Sequence, residues 1–156
     1  MSDTWYFAYG SNLSKGRKEE RTGLIRCSHR ARLKEYRLAF NKKATKGSVY
    51  ANIVRKEDSE VWGVIYLCNP EAMAKLDRLE GVMGGHYERV LVAVELDDGT
   101  PQSAEVYVAG SKYIASDENP SDEYLNHVIT GANEHGLPPE YIESIRRLAN
   151  GQESFA

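Results

Sequence analysis

The sequence is poor in the residues from which metal, redox and secreted proteins are usually built. It holds two cysteines in 156 residues, Cys27 and Cys68, set 41 positions apart with no CxxC pair. That argues against a disulfide framework and leaves two unpaired thiols as the expectation. The four histidines, His29, His86, His127 and His135, form no HxxxH or HExxH pattern, so no metal site is expected. No stretch approaches the ~20 apolar residues that cross a bilayer. The first ten residues have neither the basic start nor the long apolar segment of a secretion signal, so a reducing cytoplasm is the expected compartment. The chain also lacks GxGxxG, a Walker A loop and GxSxG. Ser11 has no histidine or lysine marked as its base, which disfavours a serine nucleophile.

What is present is ordinary in bulk and uneven in detail. The apolar share is 41% and the charged share 28%, as in soluble globular chains. No linker, repeat or low-complexity run interrupts the sequence, so residues 1–156 read as one domain. The net charge of −3 hides an asymmetry: residues 15–46 carry twelve basic residues against three acids. Such a stretch is either a nucleic-acid face or a field that draws in a small anion. No aromatic-interleaved RNA-binding motif or zinc-finger spacing accompanies it, so nucleic acid is not the expected partner.

The element pattern is mixed. Trp5–Tyr9 is a short apolar and aromatic run ending at Gly10, which predicts a buried strand. Ser11 and Asn12 are good caps for a helix over about 13–20. Strands are expected over Leu33–Phe40, Ser48–Val54, Val61–Leu67, Tyr87–Leu96 and Ala104–Val108, the last two joined by an Asp97-Asp98-Gly99 turn. Gly63 suits a bulge or a close backbone approach. Asn69-Pro70-Glu71 starts a helix that stops at Gly81. Further helices are expected over about 120–134, with Tyr124, Val128 and Ala132 on one stripe, and after Pro138-Pro139. Six strands and four helices in this order give an α+β chain. The pattern leaves open whether the strands close into a barrel or form an open sheet.

Three places could carry chemistry. At Tyr9-Gly10-Ser11-Asn12 a strand stops and a helix begins, leaving backbone N–H groups free for a carboxylate or an oxyanion. Glu80 ends an amphipathic helix, where the dipole is already negative. A carboxylate there breaks a local rule, and its pKa should rise toward that of a useful general base. The ten tyrosines include Tyr87, seven positions after Glu80 and across Gly84-Gly85, and Tyr124 after an acidic loop. Tyrosines supply apolar walls and hydroxyls to a small polar pocket.

The segment Tyr6-Phe7-Ala8-Tyr9-Gly10-Ser11-Asn12-Leu13 resembles the N-terminal signature of the γ-glutamylcyclotransferases. Further likenesses follow in order: Val61-Trp62-Gly63-Val64, then Leu76-Asp77 leading to Glu80-Gly81-Val82 and Tyr87, then Asn133 to Tyr141. The resemblance implies a small mixed or antiparallel β-barrel with flanking helices, and catalysis without metal or cofactor. It implies that Tyr6, Phe7, Ala8, Tyr9, Gly10, Ser11 and Asn12 line the site for a small-molecule γ-glutamyl substrate. It makes Glu80 the catalytic base, with Tyr87 and Tyr124 holding the substrate, and it implies a homodimer. Relatives acting on γ-glutamyl-amines usually carry YGTL at the loop, and the glutathione-specific branch differs after YGS. The YGSN of this chain therefore favours γ-glutamyl amino acids. Another conjugate (an amine or an aminoglycoside) and a non-catalytic binding module using residues 15–46 are the alternatives.

Overall fold

In the computed structural model, described over residues 2–44, 48–116 and 118–151, five strands close into a barrel in the order β1-β3-β2-β4-β5. The strands are β1 (Thr4–Ala8), β2 (Ser28–Lys43), β3 (Val49–Cys68), β4 (Tyr87–Leu96) and β5 (Pro101–Ala109). All neighbours are antiparallel except β1 and β5, which run parallel with Tyr6 opposite Glu105. The barrel is therefore mixed, as the resemblance implied. Four helices flank it: α1 (Lys15–Thr22), α2 (Pro70–Leu79), α3 (Asp122–Glu134) and α4 (Pro139–Ala149). None is long and apolar enough to cross a membrane.

Two sequence expectations need correction. The strands expected over 48–54 and 61–67 are the two ends of β3, a single strand of 20 residues. The charged run Arg55-Lys56-Glu57-Asp58 between them reads as a loop because nothing there is buried. Yet β3 runs on through it: Arg55 pairs with Tyr36 and Glu60 with Lys34, and residues 56–59 form an exposed bulge opposite Glu35 at the register shift between Lys34 and Tyr36. Glu35 and Asp58 take left-handed backbone conformations there, with φ of 69° and 61°. The second correction concerns the helix start. Ser11–Leu13 form a turn of 3-10 helix, and Ser14 caps α1, its Oγ accepting from the Arg17 N–H at 3.3 Å.

Other boundaries follow the sequence logic. The Asn69 side chain accepts from the Ala72 N–H at 2.8 Å, and Pro70 opens α2. Ser121 caps α3 in the same way. The core joins barrel residues (Phe7, Phe40, Ile53, Val64, Ile65, Val106) to helix residues (Leu13, Leu76, Val128, Ile145). Each large apolar side chain buried there contributes about 1.5–3 kcal/mol relative to exposure.

Two close approaches fix the chain around Tyr9. At Gly63 in β3, a side chain would overlap the Ala8 carbonyl oxygen and press on the Phe7 ring at 2.9 Å. This is the close approach the sequence suggested. At Gly131 in α3, a side chain would overlap the backbone of Leu13 and Ser14. So α3 lies directly on the turn that follows β1. Gly131→Ala should lower the unfolding free energy by roughly 1–3 kcal/mol, as overpacking does. Urea unfolding checks this, and an unchanged midpoint would show that α3 is not pressed against the turn.

Candidate functional site

A cleft of about 380 Å³ opens where β1 runs into the Ser11–Leu13 turn. Of the residues the sequence singled out, Tyr6, Tyr9, Gly10, Ser11, Asn12, Glu80, Tyr87 and Tyr124 all line it. Phe7 and Ala8 do not. They are buried in the core, with 0% and 1% of their surface exposed, because β1 is covered on both faces. Residues separated by more than a hundred positions thus meet at one end of the barrel.

Glu80 is held by the end of α2. Its N–H donates to the Leu76 carbonyl at 2.8 Å, and Gly81 follows with φ of 66°, which stops the helix. Its carboxylate keeps only 16% of its surface exposed and receives Arg21 Nη1 at 3.3 Å. Among the described residues it is the one carboxylate lining the cleft. Burial pushes its pKa above the usual carboxylate value, and Arg21, Arg17 and Lys42 partly offset that rise. The direction is the one expected from the sequence, but the main cause is loss of water rather than the helix dipole.

The tyrosine hydroxyls are largely committed to the protein. Tyr87 donates to the Ala51 carbonyl at 2.8 Å, and Tyr124 accepts from the Ala51 N–H at 3.0 Å. Ala51 lies on the stretch of β3 beyond its pairing with β1, and both of its backbone polar groups are satisfied by cleft tyrosines. Tyr9 donates to the Tyr107 carbonyl at 2.6 Å. Tyr6 accepts from Asn12 Nδ2 at 2.9 Å, and Asn12 Oδ1 is buried without a partner. Burial raises the pKa of Tyr6, Tyr9 and Tyr87 well above 10, and that of Tyr124 to about 12. These phenols stay neutral near pH 7 and offer donors and ring faces, not bases. Ser11 Oγ accepts from Arg17 Nε at 3.0 Å.

Sequence reasoning missed Arg17, Arg21, Lys42, Tyr50, His86 and Tyr107, which also line the cleft. The signal for three of them was present in the basic stretch of residues 15–46. Arg17, Arg21 and Lys42 point their charge into the cleft. Arg30 pairs with Asp97, and Arg32 and Lys34 pair with Glu95. Lys46, the last of the stretch, lies outside the described residues. The stretch is therefore split between ion pairs and a cationic cleft. Among the described residues no group of histidine, cysteine and carboxylate side chains could hold a metal ion.

Comparison with known proteins gives a consistent answer. The AIG2-like family matches residues 60–145. The γ-glutamylcyclotransferase of Homo sapiens is 33% identical over 148 residues, spanning 92% of this chain and 77% of that protein. The γ-glutamylcyclotransferase of Bos taurus is 32% identical over the same length, again spanning 92% of this chain and 77% of that protein. The solved structure of a γ-glutamyl cyclotransferase superposes with a TM-score of 0.82 at 31% identity, covering 93% of this chain and 87% of that one.

The raised pKa of Glu80 has a consequence for stability. The folded state holds the Glu80 proton more tightly than the unfolded chain does. Stability from this group is therefore present below its unfolded pKa and is lost as pH rises through the folded value. Glu80→Gln should match the wild type in melting temperature at low pH and equal or exceed it at pH 8. A lower melting temperature at pH 8 would mean that the Arg21 ion pair outweighs the desolvation.

Proposed function

The chain belongs to the γ-glutamylcyclotransferase family of enzymes, and we propose that it converts γ-glutamyl amino acids to 5-oxoproline and the free amino acid, with Glu80 as base and then acid. One observation carries this reading: among the described residues a single, largely buried carboxylate shares a cleft with the turn that follows β1. The substrate sets its α-carboxylate or its developing oxyanion against the backbone N–H groups around Tyr9–Ser11. Those of Gly10 and Ser11 precede the first hydrogen bond of the turn, Leu13 N–H to Gly10 O at 3.0 Å, and so have no acceptor within it. Glu80, ionised, takes a proton from the substrate α-ammonium. The free amine attacks the γ-carbonyl of the same molecule, the five-membered ring closes and the C–N bond to the leaving amine breaks. Glu80 returns its proton to the leaving nitrogen. Tyr87 and Tyr124 act mainly through their rings and through the Ala51 backbone they hold.

The magnitudes suffice. A positioned base is worth ~10²–10⁴-fold, and each preorganised N–H on the oxyanion roughly 10²–10³. Ring closure is intramolecular, so the cleft needs only to fold the substrate into an attack conformation. Because the basic stretch is split between ion pairs and the cleft, a nucleic-acid-binding module has little continuous cationic face to use. A single-domain chain of 156 residues, a homodimeric state and a cytoplasmic location complete the proposal.

Mixing the protein with γ-glutamyl-alanine should release 5-oxoproline, and Glu80→Gln should lower kcat by about 10²–10⁴-fold while the chain stays folded. Turnover retained by the variant would remove Glu80 from the base role. A methyl group at Gly10 would lie 3.2 Å from both the Ala51 Cβ and the Tyr124 hydroxyl. Gly10→Ala should therefore raise KM several-fold by displacing Tyr124. Unchanged steady-state kinetics would place the substrate elsewhere.

A further inference from the structure

Lys42 is 3% exposed, which is unusual for a lysine. It comes from the end of β2 and lines the cleft together with Tyr50, His86 and Tyr87. Among the described residues no carboxylate lies within ion-pair reach of it. Its Nζ lies 3.2 Å from His86 Nδ1 and donates to the Lys43 carbonyl. The rings of Tyr50, Tyr87 and Tyr113 surround it, with centroids at 5.9, 5.3 and 5.1 Å. His86 is itself stacked on Tyr113 at 3.9 Å. With Lys42 charged, its ammonium donates to Nδ1 of His86. The ammonium is thus desolvated and its direct contacts are all neutral; the charge it feels across the cleft is the Glu80 carboxylate, which is joined to Arg21. Such a charge is costly until an anion arrives.

The other two cations of the cleft are engaged differently. Both belong to α1: Arg21 is joined to Glu80, and Arg17 to Ser11. They stand at the pole where the γ-glutamyl group is proposed to dock. Lys42 stands on a separate wall, built from β2, β3 and the segment around His86, which packs against Gly81. A γ-glutamyl amino acid carries one ammonium and two carboxylates. Glu80 answers the ammonium, and the turn with α1 answers the α-carboxylate. One carboxylate remains, that of the leaving amino acid, and one cation remains with no carboxylate in contact with it among the described residues. We infer that Lys42, oriented by His86, binds the carboxylate of the leaving amino acid and so selects γ-glutamyl amino acids over γ-glutamyl-amines and cationic conjugates. This rests on the cyclotransferase reading of the same cleft.

The test compares γ-glutamyl-alanine with γ-glutamyl-alaninamide, which keeps the scissile bond and loses the second negative charge. The wild type should favour the acid by about 10- to 100-fold in kcat/KM, the range of one charge-assisted contact. Lys42→Met should lower kcat/KM for the acid by a similar factor and change the amide less than about threefold, whereas Lys42→Arg should restore part of the preference. Equal losses on both substrates would make Lys42 structural and overturn the inference. So would a wild type indifferent to the charge, while leaving the cyclotransferase reading intact. Failure of the wild type to release 5-oxoproline from either substrate would sink both.

Discussion

The segment from Phe7 to Ser14 is pinned between two backbones, and the rest of the site depends on that. Gly63 of β3 lets the Ala8 peptide lie against it on one side, and Gly131 of α3 lets the Leu13–Ser14 peptide do so on the other. A turn held this tightly has little room to relax, so its N–H groups would be fixed before the proposed substrate binds. Preorganisation of this kind is what makes backbone donors effective against a developing charge. It also carries α1 into place, because Ser14 caps that helix and α1 delivers Arg17 and Arg21 to the cleft.

The electrostatics of the cleft follow from a balance between dehydration and compensation. Glu80 loses water and its proton affinity rises, while Arg21, Arg17 and Lys42 act against that rise. The outcome is a carboxylate more basic than one in water, with three cations nearby that favour its ionised form. The tyrosines set the boundary of this region without adding charge to it, since burial keeps their hydroxyls protonated. The hydroxyls of Tyr87 and Tyr124 meet on one residue, Ala51, at its carbonyl and its N–H, so the two sides of the cleft are tied together through β3.

Much of this was legible in the sequence, and the gaps have physical causes. Glu80 stood out because it offends the helix dipole, and the turn at Gly10 stood out because a strand gives way to a helix there. Both are local signals. Lys42, His86, Tyr50 and Tyr107 were missed because their importance comes from long-range pairing: β2 with β3, and β4 with β5. Their neighbours along the chain say nothing of it. The basic stretch was visible, but which of its members face the cleft depends on the side from which each element presents them. The continuous β3 was read as two strands because periodicity detects burial, and the exposed bulge that joins its two halves buries nothing. Phe7 and Ala8 fell within a matched signature, yet they serve the core, since a strand covered on both faces leaves few of its residues to the ligand.

The barrel closes where β1 runs parallel to β5, and among the described residues that seam meets at one register pair, Tyr6 opposite Glu105. The other joints are longer; β4 and β5, for example, pair from Tyr87–Ala109 to Glu95–Pro101. The seam is thus where amide protons would exchange first as the sheet breathes. Tyr6 belongs both to that seam and to the cleft. Occupying the cleft and keeping the cylinder shut are therefore linked equilibria, and a bound ligand would act as a clasp on the shortest joint of the sheet.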